Sequence, residues 1–371
     1  MLLKDLKDEY VRRMGGTEEE VSVFFSGASL DLLGGPAQPF GGLAVSTALS
    51  AGTYAMLGPA REATITLQES KSDLMLSCDI DKLGLYKEKD WGAPIFKTLE
   101  NLNNSQYPLS GANLLFRHSI DDPSFYAANI AAAAAMTNAA IQPADALRAC
   151  ALNGEQHQSK TGILASAAGR AGTLMLINAK NYDYSYIRFQ IPTYKLVFTV
   201  FENKKPKNLQ PEFEKCFDLL KKKLPALSSI QDLKKGDIEL NSAYLQDYKP
   251  FAEFALHECQ RVLWATEALR GARPSALSNF GLLLYESGRE LLPLFGKSEK
   301  ALKILSDVAA QTELAEGSRV LDNGRGIFSL VNDAHVDAFT ERIKAAVTEQ
   351  ASAAPVFYIC KPADSGIQIT T

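Results

Sequence analysis

The sequence has too few cysteines and histidines, too widely spread, for a disulfide framework or a structural zinc site. Its 371 residues contain five cysteines and four histidines, and no Cys-x-x-Cys pair occurs. Disulfide-rich folds and zinc sites need such residues in closely spaced pairs, so we expect neither, and no bound metal. The cysteines are expected to be small buried apolar residues of a cytoplasmic protein.

Long apolar runs and an excess of charge are also missing. No stretch of about 20 apolar residues occurs, so no membrane-spanning helix is expected. The 39 lysines and arginines against 43 aspartates and glutamates leave a formal charge of −4, without the clustered basic residues that bind nucleic acids. The seven charged side chains of residues 1–14 predict an amphipathic helix there and not a signal peptide. Neither a nucleic acid nor a membrane is therefore expected as a partner.

What the chain does contain is a mixture of strand-like and helix-like segments in both halves, which favours an α+β protein. Its length exceeds what one hydrophobic core usually serves, so we expect two domains, residues 1–191 and 192–371. The alternation of apolar residues predicts a strand at 21–25, followed by a passage rich in glycine and proline at 27–42. Helical periodicity dominates residues 211–292.

Short segments of the first half are similar, in order, to sequence motifs of one enzyme family. Residues 26–35 read SGASLDLLGG and resemble a first motif of the form SPGRVNLIGEHTDY. Gly41 and Gly42 stand where a glycine pair follows that motif. Residues 123–136 occupy the place of a phosphate-binding motif, PxGxGLSSSAAL.

The second half continues the same order of motifs. Residues 256–262, LHECQRV, resemble a helix of the second domain, and residues 323–326, NGRG, resemble a shortened GGGFGG turn. Residues 357–362, FYICKP, are similar to a terminal FYVCKPS. The motifs that these segments resemble are those of the galactokinase branch of the GHMP small-molecule kinases. The resemblance implies a two-domain α+β GHMP-kinase-like fold, with a ribosomal S5 domain 2-like N-terminal domain and a ferredoxin-like C-terminal domain.

The resemblance implies an ATP-dependent sugar kinase, yet the residues at the family's phosphate-binding positions differ. A phosphate loop needs glycines that let backbone N–H groups approach the phosphates at a helix N-terminus. Larger or apolar side chains occupy most of those positions in this chain: Phe125, Tyr126, Ala127, Asn129, Ile130 and Ala131. The sequence therefore assigns no cofactor-binding residue in this segment.

The catalytic positions of the family differ as well. The family's catalytic aspartate either falls on Ala165 or is deleted, since the spacing to the next strand indicates that a few residues are missing, and the arginine of its first motif falls on Ser29. No aspartate or glutamate occurs from Gln156 through Tyr182. A methyl group cannot accept a proton, so the sequence assigns no catalytic residue.

The candidate ligand pocket consists of the positions that contact the sugar in the family. The Glu, His and Asp of the first motif fall on Gly35, Pro36 and Gln38. Asp31 stands where the family carries an asparagine. Asp31 has two interpretations: a carboxylate that replaces the missing base, or a residue that caps the turn before Gly34.

The sequence therefore predicts a galactokinase-like protein that is catalytically inactive. Such a pseudokinase would have a remodelled ligand pocket or a partner-binding role, would need no cofactor, and would bind an unidentified small molecule or protein. The alternative is an active GHMP kinase whose site is rebuilt for a sugar or another small alcohol. ATP and Mg²⁺ would be required only in that case.

Overall fold

The computed structural model describes most of the chain outside the predicted phosphate loop. The described residues are 3–86, 91–104, 109–119, 159–271, 273–296, 299–351 and 354–369. The six candidate phosphate-loop residues lie outside them: Phe125, Tyr126, Ala127, Asn129, Ile130 and Ala131.

The chain folds into two compact units, and each is made of segments that are distant in sequence. Unit 1 consists of Met1–Leu30, Thr47–Ala171 and Pro362–Thr371, and unit 2 of Asp31–Ser46 and Gly172–Lys361. Unit 2 thus takes two segments from the sequence before residue 191. The predicted domain boundary between residues 191 and 192 stays a prediction.

Unit 1 is a sheet with helices packed on its faces. Within its described residues, the helices are α1 (Leu3–Met14), α2 (Ala93–Asn103) and α3 (Lys160–Ala168). Its strands are β1 (Ser22–Leu33) and β2 (Leu43–Pro59), both shared with unit 2, and β3 (Thr64–Glu69), β4 (Met75–Asp79), β5 (Ala112–His118) and β12 (Ile367–Ile369). The strand order is β12-β1-β2-β5-β3-β4, and β3 and β5 run parallel.

The alternation of side chains along β5 explains how both faces of this sheet are covered. Leu114 and Phe116 pack in one core cluster with Phe96 of α2. Leu115, between them, packs in another cluster with Leu6 of α1. Successive side chains of a strand point to opposite faces, so one strand serves both clusters.

The first strand is longer than the sequence predicts. The expectation that it ends at residue 25 is wrong, because β1 continues to Leu33 through the glycine-rich passage. A Cβ at Gly27 would lie only 2.5 Å from the carbonyl oxygen of Leu49, so glycine permits a close approach of backbone within the sheet. The first motif is therefore carried by a strand and the turn that follows it.

Unit 2 combines a four-stranded antiparallel sheet with a larger set of helices. Its helices are α4 (Gln210–Lys223), α5 (Lys235–Leu240), α6 (Ser242–Leu245), α7 (Lys249–Arg270), α8 (Ala276–Leu291), α9 (Lys300–Gln311) and α10 (Val336–Ala351). Its strands are β6 (Thr173–Asn178), β7 (Asp183–Arg188), β8 (Tyr194–Val200), β9 (Ala315–Val320), β10 (Gly326–Asn332) and β11 (Val356–Cys360). The four-stranded sheet has the order β11-β8-β10-β9, and β6 pairs with β7 and with the start of β2.

Two glycines bring α8 against strand β9. A Cβ at Gly281 would lie 1.8 Å from the carbonyl oxygen of Glu316, and one at Gly317 would lie 2.5 Å from the Cα of Gly281. Small residues permit this close packing of helix on strand. The contact places Ser287 of α8 beside Arg319 of β9, which are the residues that build the interior of the candidate site.

Among the residues described, no helix is both long and apolar enough to cross a membrane.

Candidate functional site

The candidate pocket residues of unit 2 lie on both sides of the tight turn at the end of β1. Gly34 has a φ of +91°, and a Cβ there would lie 2.0 Å from the carbonyl oxygen of Leu43, so glycine is required on both grounds. The N–H of Gly34 donates a 2.9 Å hydrogen bond to Oε1 of Glu258. Asp31, three residues earlier, accepts a 2.5 Å hydrogen bond from Oγ of Ser46. The turn is thus held by a buried carboxylate of α7.

Gly35 lies against two carboxylate residues. A Cβ at Gly35 would lie 1.9 Å from Oδ2 of Asp322 and 3.2 Å from the Cβ of Asp31. The Asp322 carboxylate therefore occupies the space that a side chain at residue 35 would need. The structure places Asp31 and Asp322 beside Gly35; the sequence analysis did not assign Asp322, and the binding role of Asp31 and Gly35 stays a prediction.

The other two candidates of the pocket lie on the 3₁₀ helix Gly35–Phe40. Pro36 is half-buried and Gln38 is buried. Ala37, between them, belongs to the main core cluster of unit 2. The core contact of Ala37 holds this short helix in place, whereas the role of Pro36 and Gln38 in binding stays a prediction.

Arg319 is the cation at the centre of this site. Its Nη2 donates to Oδ1 of Asp322 at 2.7 Å, its Nε donates to Oγ of Ser287 at 2.7 Å, and its Nη1 donates to the carbonyl oxygen of Val320 at 3.2 Å. The same Nη2 lies 3.4 Å from Oε1 of Glu258. Removing a guanidinium from water costs several kcal/mol unless it is paired. These contacts supply that pairing on every side of Arg319.

Glu258 is the buried anion opposite Arg319. Oε1 accepts from Oγ of Ser287 at 2.9 Å, and Oε2 accepts from Nε of Arg261 at 2.8 Å. Burial opposes the ionisation of Glu258, but Arg319, Arg261 and the N–H of Gly34 outweigh it and keep its pKa below the ordinary value. Glu258 is therefore a carboxylate at neutral pH.

The pKa of Asp322 is shifted in the opposite direction. Burial and the nearby charge of Asp31 raise its pKa to about 6, although Arg319 acts to lower it. Its side chain keeps 32% of its exposure, so the carboxyl group reaches solvent while it contacts the buried arginine. Asp322 is thus a partly exposed carboxyl group whose pKa depends on its partial burial, on Arg319 and on Asp31.

The candidate catalytic positions in unit 1 lie at the start of α3. Ser159 caps this helix, since its Oγ accepts a 3.0 Å hydrogen bond from the N–H of Gly162. A Cβ at Gly162 would lie 2.6 Å from Oγ of Ser29, which places Ser29 against the first turn of α3. Ala165 is completely buried one turn further along. Neither α3 nor Ser29 provides a carboxylate.

No group of three or more His, Cys, Asp or Glu side chains in the described part of the chain is arranged to hold a metal ion. Asp31 and Asp322 together with Arg319 form a charged cluster without the geometry of a metal centre.

Sequence relatives of the chain are galactokinases. It is 24% identical over 375 residues to the galactokinase of Clostridium acetobutylicum, a match that covers 94% of this chain and 95% of that protein. It is 22% identical over 368 residues to the galactokinase of Bacillus subtilis, with 93% of each protein covered. No protein-family model matches the chain.

The similarity of this chain to solved structures is stronger in fold than in sequence. The galactokinase of Lactococcus lactis, solved with galactose, matches with a TM-score of 0.84 at 17% identity and covers the whole of both chains. The mevalonate kinase of Methanococcus jannaschii matches with a TM-score of 0.61 at 12% identity, covering 92% of this chain and 98% of that one.

The predicted α+β fold of the GHMP small-molecule kinases is confirmed by these structural matches. Both of these sequence relatives are galactokinases, and both matches extend over nearly the whole chain. The chain is similar to the galactokinase branch of the GHMP kinases, as its motifs predict.

Proposed function

We propose that this chain is a galactokinase-like protein that does not transfer phosphoryl groups. The observation that carries the proposal is Ala165, which stands where the family carries its catalytic aspartate and is buried in a helix without any acidic residue. Phosphoryl transfer to an alcohol needs a group that orients or deprotonates the acceptor hydroxyl. Neither the methyl group of Ala165 nor the neutral hydroxyl of Ser29 is a base.

The environment of Gly35 supports the same proposal from unit 2. The family carries a sugar-contacting glutamate at this position, whereas a side chain at residue 35 would collide with Asp322. The pocket of unit 2 therefore offers carboxylates from Asp31 and Asp322 and none from residue 35. A ligand of this pocket would differ from galactose in the groups it presents.

A binding role replaces catalysis in this proposal. The partner would be a small molecule or a protein of the cytoplasm, and neither a nucleic acid nor a membrane. No cofactor would be needed for such a role, and ATP with Mg²⁺ would enter only if the chain were an active kinase.

An ADP-release assay tests the proposal directly. The purified chain is mixed with Mg-ATP and galactose, and then with a panel of other sugars and small alcohols, beside the galactokinase of Clostridium acetobutylicum as a positive control. We expect no ADP release above the background without acceptor. A turnover of about 1 s⁻¹ or more with any acceptor would contradict the proposal.

The second candidate function is an active kinase for another small alcohol, and the position of Asp31 favours it. Asp31 lies beside Gly35 and is a carboxylate that could orient an acceptor hydroxyl. If turnover is observed, Asp31→Asn should abolish it. Asp218→Asn, at an exposed position of α4, should leave the turnover unchanged, which excludes a contaminating kinase as its source. Mg-ATP would then also raise the melting temperature, since a ligand of the native state stabilises it.

A further inference from the structure

The carboxyl group of Asp322 is held by one of its oxygens only. Oδ1 accepts the 2.7 Å hydrogen bond from Arg319. Oδ2 lies 1.9 Å from the position that a Cβ of Gly35 would occupy, and no described residue donates a hydrogen bond to it. The side chain is 32% exposed, so a molecule from solvent can reach this carboxyl group. Arg319 therefore orients the group and leaves Oδ2 available to a ligand.

The side-chain amide of Gln38 also has no hydrogen-bond partner among the described residues. Gln38 is only 8% exposed, yet neither of its amide atoms is sealed from solvent. Buried polar groups in native proteins are as a rule paired, with protein, water or a ligand. Gln38 is therefore a second polar group from which a ligand can gain hydrogen bonds.

The 3₁₀ helix Gly35–Phe40 places these two groups on the same side of the turn. Residues three apart on a 3₁₀ helix lie on one face, about 6 Å apart along its axis. Gln38 therefore shares the face of Gly35, against which Oδ2 of Asp322 lies. Ala37 packs in the main core cluster of unit 2 and fixes the orientation of the helix. The amide and the carboxyl oxygen thus border the same part of the pocket.

The cation that binds Asp322 is shared with another carboxylate. Nη2 of Arg319 faces Asp322 at 2.7 Å and the fully buried Glu258 at 3.4 Å. Burial raises the pKa of Asp322 to about 6, although Arg319 acts to lower it. A cationic donor stabilises such a carboxylate more than a neutral hydroxyl does, because charge-assisted hydrogen bonds are about twice as strong as neutral ones.

We propose that Asp322 and Gln38 bind a ligand that carries a primary amine beside a hydroxyl, an amino alcohol or an amino sugar. The ammonium donates to Oδ2 of Asp322 and to Oε1 of Gln38, and the neighbouring hydroxyl accepts from Nε2 of Gln38. Each of these three atoms then has a hydrogen-bond partner. This ligand class rests on the binding role proposed above for the pocket of unit 2.

Isothermal titration calorimetry of the wild type tests the ligand class with two matched pairs of probes. Galactosamine is compared with galactose, and ethanolamine with ethylene glycol, so that each pair differs by an amine in place of a hydroxyl. At about pH 7, each amine should bind about tenfold or more tightly than its hydroxyl counterpart. Equal affinities within both pairs, or no binding of either amine, would overturn the ligand class.

Two variants test the contacts of the individual residues. Asp322→Asn keeps the size of the side chain without its charge, and Gln38→Ala removes the amide, so each should weaken the binding of galactosamine about tenfold or more. Asp218→Asn and Gln311→Ala, at exposed positions of α4 and α9, are the matched controls and should bind as the wild type does. Unchanged affinity in either test variant would overturn the contact of that residue.

A measurement on the wild type makes the assignment independent of whether the variants fold. The side-chain amide resonance of Gln38 should shift when galactosamine is added, and an unshifted resonance at saturation would overturn the contact. The ADP-release assay separates this inference from the proposed function. Amine binding together with ADP release would contradict only the absence of catalysis, whereas a lack of both would overturn only the ligand class.

Discussion

Among the described residues, each unit of this chain buries one glutamate and pairs it with two arginines, but the two pairings differ in their access to water. In unit 1, Glu9 lies 2.6 Å from Nη1 of Arg117 and 3.8 Å from Nε of Arg13, and these arginine side chains are 38% and 24% exposed. In unit 2, Glu258 is fully buried, and Arg319 and Arg261 are only 1% and 3% exposed. Water therefore reaches the arginines of the Glu9 network in unit 1, whereas the arginines of the Glu258 network in unit 2 are shielded from it.

This difference in exposure determines how much each ion pair contributes to the unfolding free energy. Water and salt screen an exposed ion pair, so such a pair typically contributes about 0–1 kcal/mol. A buried pair contributes little net stability when complete, yet removal of one partner leaves an uncompensated charge and costs about 3–5 kcal/mol. Unit 2 should accordingly be sensitive to single charge removals that unit 1 tolerates.

The largest effect is expected from Arg319→Met. This change leaves Glu258 and Asp322 without their shared cation and should cost about 3–5 kcal/mol of unfolding free energy, measured by urea denaturation. Arg342→Met, at an exposed position of α10, is the matched control and should cost less than about 0.5 kcal/mol.

A double variant distinguishes charge imbalance from a general loss of packing. Arg319→Met combined with Glu258→Leu removes both signs of charge from the interior and should be less destabilising than Arg319→Met alone. The unfolding free energies of Arg319→Met and of Glu258→Leu are measured separately as well. If the double variant loses as much unfolding free energy as the sum of these two losses, the pairing interpretation of this network is wrong.

A steric effect of intermediate size is expected from Gly35→Ala. Its Cβ would meet Oδ2 of Asp322 at 1.9 Å, so the variant should lose about 1–3 kcal/mol. Adding Asp322→Gly should recover part of that loss by emptying the space. Gly236→Ala is the control, because no atom lies within 4 Å of the Cβ it would add, and it should be neutral or slightly stabilising. Equal losses at residues 35 and 236 would contradict the contact with Asp322.

The smallest effect is expected from Arg117→Met in unit 1. Glu9 keeps Arg13 and the hydroxyl of Ser70 as partners, so the loss should not exceed about 1 kcal/mol. The loss should shrink further when the unfolding is repeated at high salt, because solvent reaches the pair. A loss as large as that of Arg319→Met would remove the contrast between the units.

The fold and part of the candidate site could be predicted from the sequence because their signals are local. The motif at residues 26–35 indicated the family and led to Asp31 and Gly35 as candidate pocket residues, whose role in binding stays a prediction. Helical periodicity likewise predicted the region that contains α7 and α8. Such signals depend on neighbours within a few positions, which a single sequence displays directly.

The interior of the site could not be predicted because its contacts are distant in sequence. Glu258 stands in a helix with an apolar pattern, and that pattern does not reveal that the glutamate itself is fully buried. Asp322 lies in the glycine-containing turn that follows β9, a position typical of exposed residues. The one sequence signal that could have identified Asp322 is its position directly before residues 323–326, which resemble the shortened GGGFGG turn.

The hydrogen bond between Gly34 and Glu258 joins residues that are 224 positions apart. During synthesis on the ribosome, the residues of the turn that follows β1 are therefore added to the chain long before Glu258, whose carboxylate holds that turn. Because such distant contacts have a high entropic cost of loop closure, they form late in folding. The turn that carries the candidate pocket should be among the last parts of unit 2 to reach its native conformation.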